Sequence, residues 1–171
     1  MSRNANFSVT GSCFLSILLF SVCAFAADVP NFTGKYALQA KNTSATDVVL
    51  EVVQNTESVE VTRTHDGKRF TNRYPLDGGD ADYTSSGGIS GKCKAQLKGK
   101  HLILESVVMT RPQAQGPAMR VHERERWQLS GDSKTLTIQT DVDFPDVRAD
   151  VSAVVGGSVA GKEKYLRVEG H

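Results

Sequence analysis

The sequence has 171 residues, with 20 lysine and arginine residues against 19 aspartate and glutamate residues and a formal net charge of +1. Its basic residues are scattered among acidic ones, so the chain lacks the positive surface with which nucleic-acid-binding proteins contact phosphates. Nucleic acid is therefore excluded as a partner, and an anionic membrane surface is disfavoured.

The first predicted element is a secretory signal peptide at residues 1–26. This segment carries a single charge, Arg3, then the apolar run CFLSILLFSVCAFA, and it ends on the small-x-small pattern Ala24-Phe25-Ala26 that signal peptidases accept. The run of about 14 residues is shorter than the roughly 20 that a membrane-spanning helix needs, and no second apolar stretch follows it. We expect no membrane span and predict a secreted or periplasmic protein.

Residues 27–171 are enough for one domain with its own core, and two domains would be crowded. Only Cys93 of the three cysteines lies in this part, so no internal disulfide can form and the core must supply the stability. A lone thiol in an oxidising compartment is safest when it is buried. We predict a single domain with Cys93 in its interior.

β-Strands are predicted along almost the whole domain, because short apolar or alternating runs are separated by turn clusters such as HDGK, SSGG, KGK and SGDSK. No window shows a helical period. The pattern predicts an all-β fold, a single antiparallel β-barrel of about 8–10 strands. A longer loop is predicted at residues 110–120. The predicted strands are 33–40, 47–54, 58–64, 69–75, 81–86, 92–97, 101–109, 120–129, 134–140, 147–155 and 162–168.

Alternation along the strands assigns their faces, because successive side chains point to opposite sides. Several predicted inner rows carry glycine, alanine or cysteine, which fill space poorly, and a cavity inside the barrel is therefore predicted. The residues predicted to point inward are Phe32, Gly34, Tyr36 and Leu38 near the start of the domain, Cys93, Ala95 and Leu97 in its middle, and Val147, Ala149, Val151, Ala153 and Val155 later on.

The domain resembles the lipocalins at both of its ends. The segment FTGKYALQ is similar to the Gly-x-Trp signature of their first strand, with Tyr36 in place of the tryptophan, and KYLRV supplies Arg167. A more extensive resemblance is to small secreted bacterial lipocalin-like proteins of uncharacterised function, through the FTG start, the TRT…DGK hairpin and the late ERW.LS.D.KTLT hairpin. The resemblance implies a lipocalin-like barrel in which Arg167 packs across Tyr36 at the closed end, and it implies no activity.

Two glutamates share one face of the predicted strand 120–129 with apolar residues. Glu123 and Glu125 fall on the same row as Trp127 and Leu129. If the tryptophan is in the core, Glu125 follows it inward. A buried ionised carboxylate is very costly without a partner, so Glu125 must pair with a cation or hydrogen-bond donor, line a wet cavity, or be protonated.

Candidate partners for Glu125 lie on other predicted inner rows. They are Arg63, Tyr74 and Arg167. The position of Arg167 stays open, because Leu166 can claim the inside of that strand in its place. Glu125 then either makes a structural ion pair that fixes barrel closure or forms the polar end of a ligand pocket.

We predict a binding protein that holds a small, mainly apolar ligand inside the barrel, since small-molecule sites combine apolar walls with a few polar groups. The predicted ligand-binding residues are Tyr36, Arg63, Tyr74, Glu123, Glu125, Trp127 and Arg167.

Two alternatives belong to other functional classes. One is a structural or protein-interaction module of the cell envelope with a filled barrel. The other is a barrel enzyme that uses Glu125 with Tyr74 or His101 as acid and base. No cofactor and no metal site is predicted, because the four histidines are far apart and lack the spacing of zinc ligands.

Overall fold

The alternating runs form ten antiparallel β-strands in the computed structural model, which describes residues 29–39, 48–85, 87–111, 118–145 and 159–168. Among these residues there is no helix with the length and apolar character needed to cross a membrane. The predicted signal peptide, the predicted strand 147–155 and the centre of the predicted loop 110–120 lie outside the described residues. The strands are β1 (Gly34–Leu38), β2 (Val49–Gln54), β3 (Ser58–His65), β4 (Lys68–Pro75), β5 (Ala81–Thr84), β6 (Ser90–Lys98), β7 (His101–Thr110), β8 (Met119–Leu129), β9 (Thr135–Asp143) and β10 (Val159–Arg167).

The strands form one sheet in the order β4-β3-β2-β1-β10-β9-β8-β7-β6-β5. Each strand pairs antiparallel with the next along the chain, except that β4 and β5 are the two edges. β1 pairs with β10 through Tyr36 opposite Arg167 and Leu38 opposite Tyr165. Contacts between β4 and β5 bring the edges together. The prediction of an all-β, single antiparallel barrel of 8–10 strands is thereby confirmed.

The β3–β4 hairpin shows how the local sequence sets a turn. Asp66 and Gly67 both have positive φ, 49° and 71°. Two consecutive residues of this kind form the tight turn whose twist matches that of antiparallel strands, and Asp-Gly is a preferred pair for it. The HDGK cluster therefore joins the two strands through a two-residue turn, as the sequence predicted.

The seam between β4 and β5 is closed by a side chain instead of a backbone ladder. Asn72 on β4 donates through Nδ2 to the carbonyl oxygen of Thr84 on β5 at 2.9 Å, and its Oδ1 accepts from the Thr84 N–H at 2.8 Å. The amide group thus occupies the place of a peptide unit. Asn72 is buried, so these two bonds form with little competition from water.

We expect Asn72→Ala to lower the free energy of unfolding by about 1–3 kcal/mol, because it removes both seam bonds, each worth about 0.5–1.5 kcal/mol. Hydrogen exchange at the Thr84 amide should accelerate. The control is Thr71→Val on the same strand, which removes the hydroxyl bond to Thr62 at the edge away from Thr84. Equal protection of the Thr84 amide in both variants would contradict this role of Asn72.

The interior is packed solid at one end of the barrel, which we call the closed end. The turns after β2, β4, β6 and β8 lie there, and the other connections leave from the opposite, open end. Phe32, Tyr36, Trp127 and Leu136 are fully buried at or near the closed end. The Phe32 and Trp127 rings meet edge to face, with centroids 6.5 Å apart. The face assignments made from the first strand are correct.

Cys93 is buried, as its lone occurrence predicted. Its Sγ donates to the Arg73 carbonyl oxygen at 3.5 Å, and Ala95 follows it inward on the same row. Burial, and secondarily the negative charges of Asp80 and Asp82, raise the pKa of the Cys93 thiol to about 11.

The Cys93 thiol should be inert in the folded protein. With a pKa of about 11, only about one thiol in a thousand is ionised near pH 8, and the thiolate is the reactive form. We expect no reaction with an aromatic disulfide reagent under native conditions and one equivalent of reaction in denaturant. Prompt native reaction would contradict the burial.

Candidate functional site

An ion pair crosses the barrel interior between Arg63 on β3 and Glu125 on β8. Nη2 of Arg63 donates to both carboxylate oxygens of Glu125, at 2.8 and 2.6 Å. The exposed fractions of the two side chains are 25% and 12%. This pair answers the question raised by the inward-facing glutamate: its cationic partner lies 62 positions away in the sequence.

Alternation on two strands places the pair. Arg63 continues the row of Val59 and Val61 on β3, and Glu125 stands one step from Trp127 on β8. The Trp127 indole Nε1–H donates to Oε2 of Glu125 at 2.8 Å. The Arg63 guanidinium lies over the same ring, 5.9 Å from its centroid. Three side chains thus fix one another.

Tyr74 on β4 completes this polar group. Arg63 Nη1 donates weakly to the Tyr74 hydroxyl at 3.5 Å. Burial raises the pKa of Tyr74, and the charge of Arg63 only partly offsets it. Burial acts to lower the pKa of Arg63, but Glu125 and Tyr74 raise it above its ordinary value. At neutral pH the tyrosine is therefore neutral and the arginine charged.

A cavity of about 420 Å³ lies above the ion pair, toward the open end. Its walls come from β2, β3, β4, β8, β9 and β10, and they combine aliphatic and aromatic side chains with a few polar ones. A smaller space of about 140 Å³ adjoins it near the seam and shares Arg63, Phe70, Glu123 and Glu125. The residues lining the larger cavity are Val48, Leu50, Arg63, Thr64, His65, Phe70, Glu123, Glu125, Ile138, Thr140, Val142, Gly161, Glu163 and Tyr165.

Glu123 lies on the inner row of β8, one step closer to the open end than Glu125, and lines both spaces. Burial raises the pKa of Glu123, the charge of Glu125 adds to the rise, and Arg63 opposes it. The carboxylate therefore faces the cavity in a setting that disfavours its charged form.

Glu163 and Tyr165 on β10 also line the cavity, and the sequence analysis did not identify them as site residues. The Tyr165 hydroxyl donates to Oε2 of Glu163 at 2.7 Å, and burial raises the pKa of Tyr165. Tyr165 is 5% exposed whereas Leu166 is 46% exposed. The open choice between two rows of β10 is thereby settled in favour of the row that includes Arg167.

Arg167 packs across Tyr36 at the closed end, which is the contact that the resemblance implied. Its guanidinium lies 5.3 Å from the ring centroid, and Nη2 donates to the Tyr36 hydroxyl at 2.8 Å and to the Thr33 carbonyl at 2.9 Å. A Cβ at Gly34 would stand 3.1 Å from Arg167 Nε. The glycine therefore permits this close approach.

The structure separates the seven predicted ligand-binding residues into two groups. Arg63, Glu123 and Glu125 line the cavity. The remaining four lie outside that lining: Tyr74 beside the ion pair, and Tyr36, Trp127 and Arg167 toward the closed end. Ligand contact stays a prediction for all seven.

The enzyme alternative paired Glu125 with Tyr74 or His101 as acid and base. His101 begins β7 and pairs with Gln128, so it lies on the other face of the sheet from Leu102 and Trp127. The residue of β7 that pairs with Glu125 is Leu104, further along the strand. Within the described ranges no group of three or more His, Cys, Asp or Glu side chains is arranged to hold a metal ion.

Several solved structures share this architecture. Zebrafish ileal bile acid-binding protein complexed with cholic acid superposes with a TM-score of 0.51 and 15% identity, covering 80% of this chain and 98% of that one. The fold is that of the lipocalin-like fatty-acid- and bile-acid-binding barrels. The fatty acid transporter REP1-NXSQ gives a TM-score of 0.53 at 11% identity over 82% of this chain and 98% of that chain.

A Schistosoma mansoni fatty acid binding protein in complex with arachidonic acid gives a TM-score of 0.52 at 15% identity, covering 81% of this chain and 96% of that chain. At these identities the likeness concerns the fold. No protein-family model matches this sequence, and no curated protein matches it at a significant level.

Proposed function

We propose that this protein binds a small, mainly apolar molecule inside its barrel. The observation that supports this most directly is the cavity of about 420 Å³ between the inner faces of the strands. Its volume falls within the roughly 300–1,000 Å³ of small-molecule sites. The closed end is packed solid while the open end holds this space, which favours a binding protein over a filled structural barrel.

The distribution of polarity gives the ligand an orientation. Leu50, Phe70, Ile138 and Val142 supply apolar surface along the walls, while the Arg63–Glu125 pair lies at the bottom of the cavity. Apolar burial provides most of the affinity for such a ligand, and a few fixed polar groups select its direction of entry. The polar end of the ligand is therefore held at the polar side chains of the lining, and its apolar part lies along these walls.

The similar solved structures add support from the fold. They include a bile acid-binding protein with cholic acid and a fatty acid binding protein with arachidonic acid. Barrels of this size either fill their centre with side chains or hold one small ligand. The present chain combines that architecture with a cavity, and we propose the second use.

The experiment is a titration of the protein with the neutral dye Nile red, followed by displacement with fatty acids and retinoids. We expect saturable dye binding near one site per chain. Native mass spectrometry of protein purified from its own host should show the co-purifying molecule. No dye binding by the monomer would contradict the proposal.

A matched pair of variants assigns the dye to the cavity. Thr140→Trp on β9 places a large side chain in the cavity and should abolish binding. Gln139→Trp adds the same side chain to the neighbouring exposed position, which faces away from the interior, and should leave binding unchanged. Equal binding by both variants would place the dye elsewhere on the molecule.

We also propose that residues 1–26 are removed on export and that the domain at 27–171 acts as a secreted or periplasmic protein. The support is the apolar run with its small-x-small end. The mass of protein recovered outside the cytoplasm should correspond to a chain beginning at Ala27. A mass that includes Met1 would contradict this.

A further inference from the structure

The charged side chains that line the cavity are unbalanced. Arg63 and His65 come from β3, Glu123 and Glu125 from β8, and Glu163 from β10. Tyr165 on β10, and Tyr83 on β5 beside the smaller space, are the other titratable groups there. One arginine thus faces three carboxylates.

The positive charge of Arg63 is already paired within the protein and does not favour an anionic ligand. Both Glu125 oxygens accept from its Nη2, so its charge is already neutralised within the protein. His65 is 61% exposed and lies beside Asp66, with Nε2 3.3 Å from Oδ2. A carboxylate that entered the cavity would meet Glu123 and Glu163 with no unpaired cation to offset the repulsion.

Glu123 is the acidic group with no partner among the described residues. No cation or hydrogen-bond donor there contacts its carboxylate, whereas Glu125 has Arg63 and Trp127, and Glu163 has Tyr165. A half-buried carboxylate of this kind is costly unless something that enters the cavity satisfies it.

We propose that the molecule held in this cavity carries an ammonium group, and that Glu123 receives it. The proposal rests on the proposed binding function and names the class of ligand: an amine on an apolar body. The ammonium would donate a charge-assisted hydrogen bond to Glu123, with the Glu163 carboxylate in the same cavity lining adding attraction. Its apolar part lies along Leu50, Ile138 and Val142.

The experiment compares three probes that share one chain and differ in the head group: dodecylammonium chloride, dodecanol and sodium dodecanoate. Each is used below its critical micelle concentration to displace Nile red from the full protein near neutral pH. We expect the ammonium to bind about ten-fold tighter than the alcohol and the carboxylate to bind weakest, since a charge-assisted bond is roughly twice as strong as a neutral one. Added salt should reduce the differences in affinity among the three probes.

Two variants with the same change in net charge locate the effect. Glu123→Gln should reduce the preference for ammonium over alcohol to about two-fold or less. Glu60→Gln changes an exposed glutamate on the outer row of β3 and should retain the preference. If the two variants behave alike, long-range charge and not Glu123 sets the preference, and the proposal is wrong.

The outcomes separate this inference from the function on which it rests. Failure of all three probes to displace the dye would contradict the binding function. Displacement in which dodecanoate equals or exceeds dodecylammonium would keep that function and overturn the ammonium inference alone.

Glu123→Gln also has an expected effect on stability. Burial first, and the charge of Glu125 second, raise the pKa of Glu123 above its ordinary value of 4.5. A carboxyl group whose pKa is higher in the folded than in the unfolded state destabilises the folded state when the pH is above both pKa values. This effect disappears when the pH falls below the pKa of the unfolded state. The variant should therefore raise Tm by about 1–2 °C near pH 7.5, a gain that fades toward about pH 4. Glu60→Gln should show no such pH-dependent gain.

Discussion

Replacing Trp127 by alanine will lower the free energy of unfolding by about 3–5 kcal/mol. The ring is fully buried, packs edge to face on Phe32 and lies beneath the Arg63 guanidinium. The substitution opens a void at the closed end and removes the indole donor of Glu125. Urea unfolding should be followed by circular dichroism, because Trp127 is the sole tryptophan and its replacement removes the tryptophan fluorescence signal.

Phe70→Ala is the matched control for the loss of an aromatic ring. Phe70 is half-buried and borders the cavity, so its ring already faces empty space on one side. We expect a cost of about 1 kcal/mol. A Trp127→Ala cost no greater than that of Phe70→Ala would mean that the tryptophan is not packed in the core.

Glu125→Gln should destabilise the protein by about 2–3 kcal/mol. The glutamine keeps the volume and an acceptor for the Trp127 indole, but it leaves the Arg63 charge inside the barrel without a counter-ion. Breaking a fully buried pair costs roughly 3–5 kcal/mol, and the smaller value reflects the 25% and 12% exposure of these side chains.

A double-mutant cycle isolates the pair. Arg63→Met leaves the Glu125 charge without a partner and should lower the free energy of unfolding by a similar amount. The double variant Arg63→Met/Glu125→Gln should be about 1–2 kcal/mol more stable than the sum of the two single losses predicts, because it contains no unpaired charge. The surface pair of Glu51 and Arg69, with side chains 38% and 62% exposed, supplies the control. Glu51→Gln should cost less than about 1 kcal/mol. Equal costs at both sites would show that the Arg63–Glu125 pair is effectively solvated.

Much of the fold follows from local physics. Strand positions and faces come from period-two alternation, which one strand carries without reference to its neighbours. The HDGK hairpin is encoded by its own two central residues. Even the Arg63–Glu125 contact was among the predicted possibilities, because an inward carboxylate requires a cation and few arginines lie on inner rows.

The remainder depends on the register across the barrel, which one strand does not encode. Arg63 and Tyr74 were candidate partners for Glu125, with Arg167 left open, and only the closed sheet places Arg63 opposite Glu125 and Arg167 at the closed end. Glu163 was missed because the face of β10 was open. Asn72 was missed because an isolated asparagine on a strand gives no sign that it will join two edges.

The seam at Asn72 differs from the other strand contacts of the barrel, because side chains join it in place of a backbone ladder. Parting any hydrogen-bonded pair of strands requires breaking a row of backbone bonds, whereas the described residues join β4 to β5 through the Asn72 bonds to Thr84 and the edge-to-face contact of Tyr74 with Tyr83, and join β4 to β6 through the weak Cys93 contact to Arg73. The wall can therefore widen along one line while every ladder stays intact. For the ligand proposed above, the seam is therefore the part of the described wall that opens with the loss of the fewest hydrogen bonds.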